Sequence, residues 1–235
     1  MRTEKDMDHK KNMTANKKTR PGRPPKNKAS IKDSGFMKER ILDVAIETIE
    51  ENEGFTVREV ARRLGCDPMT IIYHFKSKDG LERAMADVIN AKVIPVDPNA
   101  AWRDRLKDLA FQYRFLALKY PNTFPLLMKF WVTGPADYHH AEMVYQALTD
   151  AGLKDAQVVD VCFGWYASML GMAMAEVKGL LKPVSEDVLD EIGQLSANEF
   201  PVMSRLLPSF QKQKKGSSYK TMVETMLNGI ERFRF

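Results

Sequence analysis

Cysteine is nearly absent: Cys66 and Cys162 are the only two among 235 residues. Two thiols with no local spacing exclude a disulfide framework and a structural zinc set, and they suit a reducing, cytoplasmic setting. Histidine is also scarce, at four residues. The adjacent His139 and His140 would point apart on a helix, so no metal site is expected. The chain has no phosphate-binding glycine loop, no His-Glu-x-x-His and no convincing nucleophile and base pair. Those absences argue against an enzyme and leave no catalytic residue or cofactor to name. No stretch sustains the apolar–polar alternation of a strand. The polar N-terminus offers no apolar core for a secretory signal, so none is expected.

Charge is present but unevenly spread. The formal net charge of +5 divides into +7 over residues 1–34 and −2 over the rest. The isoelectric point of about 9.1 therefore belongs to an arm and not to the body. Residues 1–34, rich in Lys, Asn, Pro and Thr without periodicity, read as a disordered basic arm. A basic arm with almost no apolar anchors suits nucleic acid better than a membrane. The longest uncharged run, residues 161–175, is 15 residues. A membrane span needs about 20, so the run reads as a buried helix and no membrane partner is expected.

From Phe36 the apolar residues take helical spacing: Phe36, Ile41, Leu42, Ala45, Ile46 and Ile49, with Gly54 placed to stop the helix. Two short helices follow, then one over 78–91. Residues 93–101 carry two prolines and read as a linker. Beyond it helices are expected over 102–120, 121–131, 136–151, 155–181, 186–198 and 218–235. The fold class is all-α. After the arm come an N-terminal helical unit over 35–92, the linker, and a larger helical domain over 102–235.

The densest local signal lies between Phe55 and Leu81. Thr56 followed by Glu59 is a capping box that starts a helix at Val57. Gly65 ends that helix, and Asp67-Pro68 starts the next at once. Ala61 is small where the second helix must approach, and Val60, Leu64, Cys66 and Ile71 supply an apolar inner face. Two short helices joined around a glycine make a helix-turn-helix.

This segment resembles the DNA-binding domain of the TetR family of bacterial transcriptional regulators over about residues 36–91. The family ending Tyr-x-His-Phe-x-x-Lys-x-x-Leu is met by Ile72, Tyr73, His74, Phe75, Lys76, Ser77, Lys78, Asp79, Gly80 and Leu81. Ile72 stands where the tyrosine is usual, so a phosphate contact there is either lost or taken over by Tyr73. A recognition helix starting at Pro68 is short, so Met69 and Thr70 are the residues placed to meet thymine methyls, and Thr70 can also hydrogen-bond. The resemblance implies a base-reading arginine at Arg58, which could equally hold a phosphate. Thr56, Tyr73, His74 and Lys78 are placed to hold phosphates. For His74 a packed position at the helix end is the alternative, and Arg62 and Arg63 read as a solvated face. In the arm, Arg20 and Lys26 flank the core Gly22-Arg23-Pro24, and the segment resembles an AT-hook. It would enter a narrow A/T minor groove or, alternatively, bind phosphates without preference.

Downstream, Trp102-Arg103-Asp104, Tyr120-Pro121, Gly134-Pro135 and the segment from Leu148 to Leu153 resemble the tetracycline-repressor type of C-terminal domain. The resemblance implies a small-molecule inducer in a helical pocket and a homodimer formed through two C-terminal helices. Gly164, Ser168, Gly171 and Ala175 form a strip of small residues on one helix face. With Met222, Met226 and Ile230 they are the expected dimer seam, packing within one subunit being the alternative. Phe111, Phe115, Met128, Trp131, Tyr138, His139, Met143, Trp165, Tyr166 and Met169 are the candidate ligand contacts, each of which could instead be core. Together these features describe a homodimeric transcriptional regulator on a palindromic operator: a repressor released when a small molecule binds. The alternative is an architectural DNA-binding dimer that answers to no ligand.

Overall fold

The computed structural model describes the backbone of residues 28–233 and the side chains of 35–233. Arg20, Arg23 and Lys26, and with them the AT-hook-like segment, lie outside the described residues. From Met37 onward the described residues form one compact unit. Among the described residues every regular element is helical, as the sequence predicts.

The first helix, α1 (Lys28–Asn52), begins inside the stretch expected to lack order, so residues 28–34 are an exception to that expectation. It buries Ile41, Ala45, Ile46 and Ile49, one face at i, i+4, i+5, i+8 spacing. Glu53, at φ 57°, and then Gly54 turn the chain out of the helix.

The next three helices are each closed by their own side chains. In α2 (Val57–Leu64) the Thr56 hydroxyl accepts from the Glu59 amide at 3.1 Å. Gly65, at φ 68°, then supplies the left-handed residue that lets the Cys66 amide reach the Ala61 carbonyl at 3.0 Å. In α3 (Pro68–Phe75) the Asp67 carboxylate accepts from the Met69 amide at 2.7 Å. In α4 (Lys78–Asn90) the Ser77 hydroxyl accepts from the Gly80 amide at 3.0 Å. A Cβ on Gly80 would sit 2.0 Å from the Phe75 carbonyl oxygen, so only glycine lets α4 start against the end of α3.

After an irregular connection, α5 (Trp102–Lys119) opens the second half. The helix expected over 121–131 is instead a 3-10 turn, Phe124–Met128. The amides of Asn122 and Thr123 are committed to the Glu50 carboxylate, at 3.2 and 2.8 Å, and Pro125 has no amide to give. Then come α6 (Pro135–Asp150), α7 (Asp155–Val177), α8 (Glu186–Gly193), α9 (Pro201–Gln211) and α10 (Ser217–Arg232). Gly179, at φ 95°, follows the end of α7, four residues short of the sequence expectation. No helix is expected from the sequence pattern at α9, which holds a proline at its start and another at Pro208.

The centre of this half is α7, packed against α5, α6 and α10. It buries Val158, Cys162, Trp165, Met169, Leu170, Ala173 and Glu176, while Val159 and Phe163 on its other side stay exposed. The run expected as a buried helix is thus buried by this chain on one face, and its small-residue strip lies outside that face. Its length and hydropathy would suffice to cross a membrane, but its buried face is the core of the bundle. Glu176 sits inside that core with 1% of its side chain exposed. Arg114 on α5 meets it through both Nε and Nη2, each at 2.6 Å. This fork fixes α5 against α7, and the Tyr219 hydroxyl, donating to the Ala110 carbonyl at 2.7 Å, fixes α10 against α5.

Removing one partner of such a pair strands the other charge. Glu176→Ala is expected to destabilise the chain by about 3 kcal/mol, the low end for a buried pair, because Arg114 keeps some access to water. Urea unfolding followed by circular dichroism would show it, and an unmoved midpoint would mean the fork does not hold α5 to α7.

Candidate nucleic-acid interface and cavity

The helix-turn-helix presents its expected contact residues outward. Met69 and Tyr73 on α3 are 66% and 65% exposed, although both are large and apolar in body. Arg58 on α2 is exposed beside them, and Pro68 opens α3. Thr70 is half-buried, and Thr56 is exposed while its hydroxyl caps α2. His74 is half-buried between the rings of Tyr73 and Phe75, with centroids at 5.4 and 6.5 Å. Burial, helped by Lys38 and Lys76, lowers its pKa, so near pH 7 it offers a neutral imidazole and not a charge. Lys78 opens α4 with its ammonium 3.4 Å from Glu82 and over the Phe55 ring. Arg63, read as solvated, is tied to Glu51 at 2.7 Å.

Behind this face, α4 is bound to the second half at four levels. Near its start, the Lys129 ammonium meets the carboxylates of Asp79, at 2.7 Å, and Glu82. Next, the Arg83 guanidinium donates to the Thr133 carbonyl at 3.1 Å. The Asp87 carboxylate accepts from the Ala136 amide at 3.2 Å in the first turn of α6, where helix amides lack partners. That carboxylate occupies the space a Cβ on Gly134 would need, at 2.4–2.5 Å. At the last turn the Asn90 amide donates to Asp137 at 2.7 Å.

Asn90 also borders a cavity of about 760 Å³, of the size that takes a small organic molecule. The walls come from the end of the 3-10 turn, the irregular stretch after it, α6 and α7, with Tyr113 of α5. At its inner end a polar cluster is fully buried. Donation to Asp137 turns the Asn90 oxygen toward His140 Nδ1 at 2.9 Å and the Tyr113 hydroxyl at 3.2 Å. The Tyr113 hydroxyl also lies 3.3 Å from His140 Nδ1, which closes the three groups into one cluster. Desolvation lowers the His140 pKa, and Asp137 works against that shift, so the ring is neutral near pH 7. Burial raises the phenols of Tyr113 and Tyr166, which remain protonated donors. It also pushes the Cys162 thiol up to about 11, which leaves it unreactive.

Four of the expected ligand residues line this cavity: Met128, Trp131, Tyr138 and Tyr166. The other six do not. Phe115 is exposed with Lys119 over its ring, and His139 is exposed on α6. Phe111 packs edge-on against Tyr219, and Met143 is packed on the core. Trp165 and Met169 are core residues, although Trp165 touches Tyr166 with ring centroids at 5.1 Å. Their helical spacing is real, but they point to other faces of the same helices. Sequence reasoning missed Asn90, Tyr113, Lys129, Asp137, Tyr145 and Phe163. For Asn90 there was a signal, an amide at a position in α4 that the apolar pattern marks as inward.

The small-residue strip on α7 is not filled by this chain. Gly164 and Gly171 are exposed and a Cβ on either would meet nothing, while Ser168 and Ala175 are half-buried. On α10, Met222 is exposed and Met226 half-buried. Ile230 does not fit the expected seam: it is 6% exposed, packed with Tyr219, Val223 and Leu227 into the chain's own core.

Among known proteins, residues 41–85 match the model for bacterial regulatory proteins of the tetR family, and residues 94–234 match the tetracyclin repressor-like C-terminal domain. An HTH-type transcriptional regulator of Saccharopolyspora erythraea is 26% identical over 124 residues, 52% of each chain. The tetracycline repressor protein class D of Escherichia coli is 32% identical over 88 residues, 35% of this chain and 40% of that one. The chain thus spans about half the length or less of these curated relatives in its matches. In fold it is similar to Streptomyces coelicolor ActR, solved in complex with actinorhodin. The TM-score is 0.74 at 16% identity, over 84% of this chain and 97% of that one. With its C-terminal domain model alone covering more than half of its length, the chain belongs to the TetR family of bacterial regulatory proteins.

Proposed function

We propose that this chain is a transcriptional repressor that binds a palindromic operator as a homodimer and lets it go when a small molecule fills the cavity. The observation that carries this reading is the path of α4. Its first turn abuts the end of α3, and its last residue borders the cavity. A ligand that moves Asn90 therefore moves the helix that positions α3. By linkage, DNA must weaken ligand binding by the factor with which ligand weakens DNA binding, for which about 5–150-fold is typical. The relatives named a transcriptional regulator and a tetracycline repressor, and the ligand-bound ActR, support the same reading. The cavity favours a ligand-responsive regulator over a purely architectural DNA-binding protein. The chain has no catalytic part in this proposal, and it acts where the DNA is, in the cytoplasm.

In this reading Arg58, Pro68, Met69 and Thr70 face base edges, and Thr56, Tyr73, His74 and Lys78 hold the backbone. Tyr73, exposed at the end of α3, takes the phosphate contact that Ile72 cannot make. Arg20, Arg23 and Lys26 of the basic arm add contacts along the flanking duplex. The dimer forms where α7 offers Gly164, Ser168, Gly171 and Ala175 and α10 offers Met222 and Met226, leaving Ile230 to the core.

Selection of bound genomic fragments should return a palindrome. On the selected operator, Arg58→Ala is expected to cost about 1–3 kcal/mol and relax discrimination at one base pair, while Tyr73→Ala weakens all sequences alike. Binding by both variants equal to that of the native protein would overturn the interface.

A side chain added at Gly171 meets nothing within the chain, so Gly171→Leu should leave the Tm of the fold nearly unchanged. It should nevertheless convert the dimer to a monomer in sedimentation velocity at low micromolar concentration. A variant that stays dimeric moves the seam elsewhere.

A further inference from the structure

The cavity wall carries one carboxylate that meets no counter-charge among the described residues. Asp137, in the first turn of α6, lines the cavity and is half-buried. It accepts from the Asn90 side-chain amide at 2.7 Å and from the Thr133 backbone amide and hydroxyl at 2.7 and 3.1 Å. These donors are neutral: they fix where the carboxylate points and leave its charge in place. None of the ion pairs formed by the described residues includes it. Its field reaches the inner end of the cavity, where it acts on Tyr113, His140 and Tyr166. A partly buried charge in this state favours a ligand that brings the opposite one.

Nothing else on the wall supplies it. The one lysine lining the cavity, Lys129, is already matched by Asp79 and Glu82 of α4. His140 is neutral near pH 7. The rest of the wall suits a cation, for seven of the seventeen lining residues are aromatic. Trp131, with 83% of its surface exposed, stands against Phe163 with ring centroids at 5.0 Å. Among the described residues no lysine or arginine lies over Trp131, Tyr138 or Phe163. Indole is the ring that best attracts a cation over its face.

From these observations we infer that the cavity takes a monovalent organic cation, a quaternary or protonated amine on an apolar body, drawn by the Asp137 carboxylate and the aromatic faces around it. The inference rests on the cavity being the effector site and names the class of its ligand. A cation on Asp137 competes for the carboxylate that holds the Asn90 amide, and so acts on the last turn of α4.

The test uses three probes of one shape and three charges: trimethyl(2-naphthylmethyl)ammonium, its carbon isostere 2-neopentylnaphthalene, and 2-naphthylmethanesulfonate. Binding to the full chain is read by equilibrium dialysis, and release of the selected operator is read in parallel. At low salt, native protein is expected to bind the ammonium about tenfold tighter than the isostere, with the sulfonate weakest. Asp137→Asn should bring ammonium and isostere to nearly equal affinity. Trp131→Leu, at an exposed position that leaves the Tm unchanged, should cut the ammonium preference about threefold, and it decides the matter should Asp137→Asn fail to fold. An isostere bound as tightly as the ammonium, tightest binding of the sulfonate, or a preference untouched by either substitution would each overturn the inference, as would no binding by any probe. Operator release by isostere and ammonium alike would sink the inference and leave the effector site standing. The expected preference without operator release would uphold the cation site and bring down its role as effector site.

Discussion

A buried amide must be paired on both sides, and Asn90 sits where α4 ends against the second half of the chain. Its donor goes to Asp137 on α6, and its acceptor faces His140 and Tyr113. Neither end has water to fall back on, so the last turn of α4 stays where α5 and α6 place it. The contacts of Glu82, Arg83 and Asp87 repeat the constraint turn by turn. The helix-turn-helix is thus carried by a helix whose register is set from the cavity side. The junction between the 35–92 segment and the helices after the linker is thus made of paired polar groups along the whole of α4.

What could be read in advance follows from how local each feature is. The three caps at Thr56, Asp67 and Ser77 and the turn at Gly65 act within a few residues, so the spacing of the letters carries them. Gly80 is different in kind. Nothing near it in the sequence demands glycine, and its reason is the Phe75 carbonyl arriving from the preceding helix. The cavity depends on which face each helix turns inward, and periodicity cannot tell an inner face from a lining one. Phe115 and Trp131 show this well: the first has helical spacing but faces solvent, while the second leaves the helix it was expected in and borders the cavity.

Helix α7 shows the same limit. Its uncharged run signals a helix shielded from water, yet only one face is shielded by this chain. Away from it, Gly164 and Gly171 stand exposed with nothing from this chain over them, and Phe163 turns to the cavity. Burial by a second copy of the chain and burial inside one chain leave the same mark on a sequence. Ile230 makes the point in reverse, for its apolar spacing on α10 belongs to the core and that of Met222 does not.

Transmission from cavity to DNA face needs stiffness as well as contact. If α4 could slide against α3, a shift at Asn90 would be absorbed before it reached Met69 and Thr70. The Gly80–Phe75 approach leaves no room for such sliding, and the Ser77 cap fixes the first turn of α4 to the segment that ends α3. Lys76 joins the two at φ 73°, a conformation that side chains other than glycine adopt only under constraint, so the joint has few other geometries open to it. In the proposed regulator, a displacement at the cavity end would therefore pass to α3 through this joint and not be absorbed by it. In a dimer, even a small rotation changes the separation of the two recognition helices, and the spacing of successive major grooves tolerates little change. The buried amide at one end of α4 and the glycine at the other are thus parts of one lever.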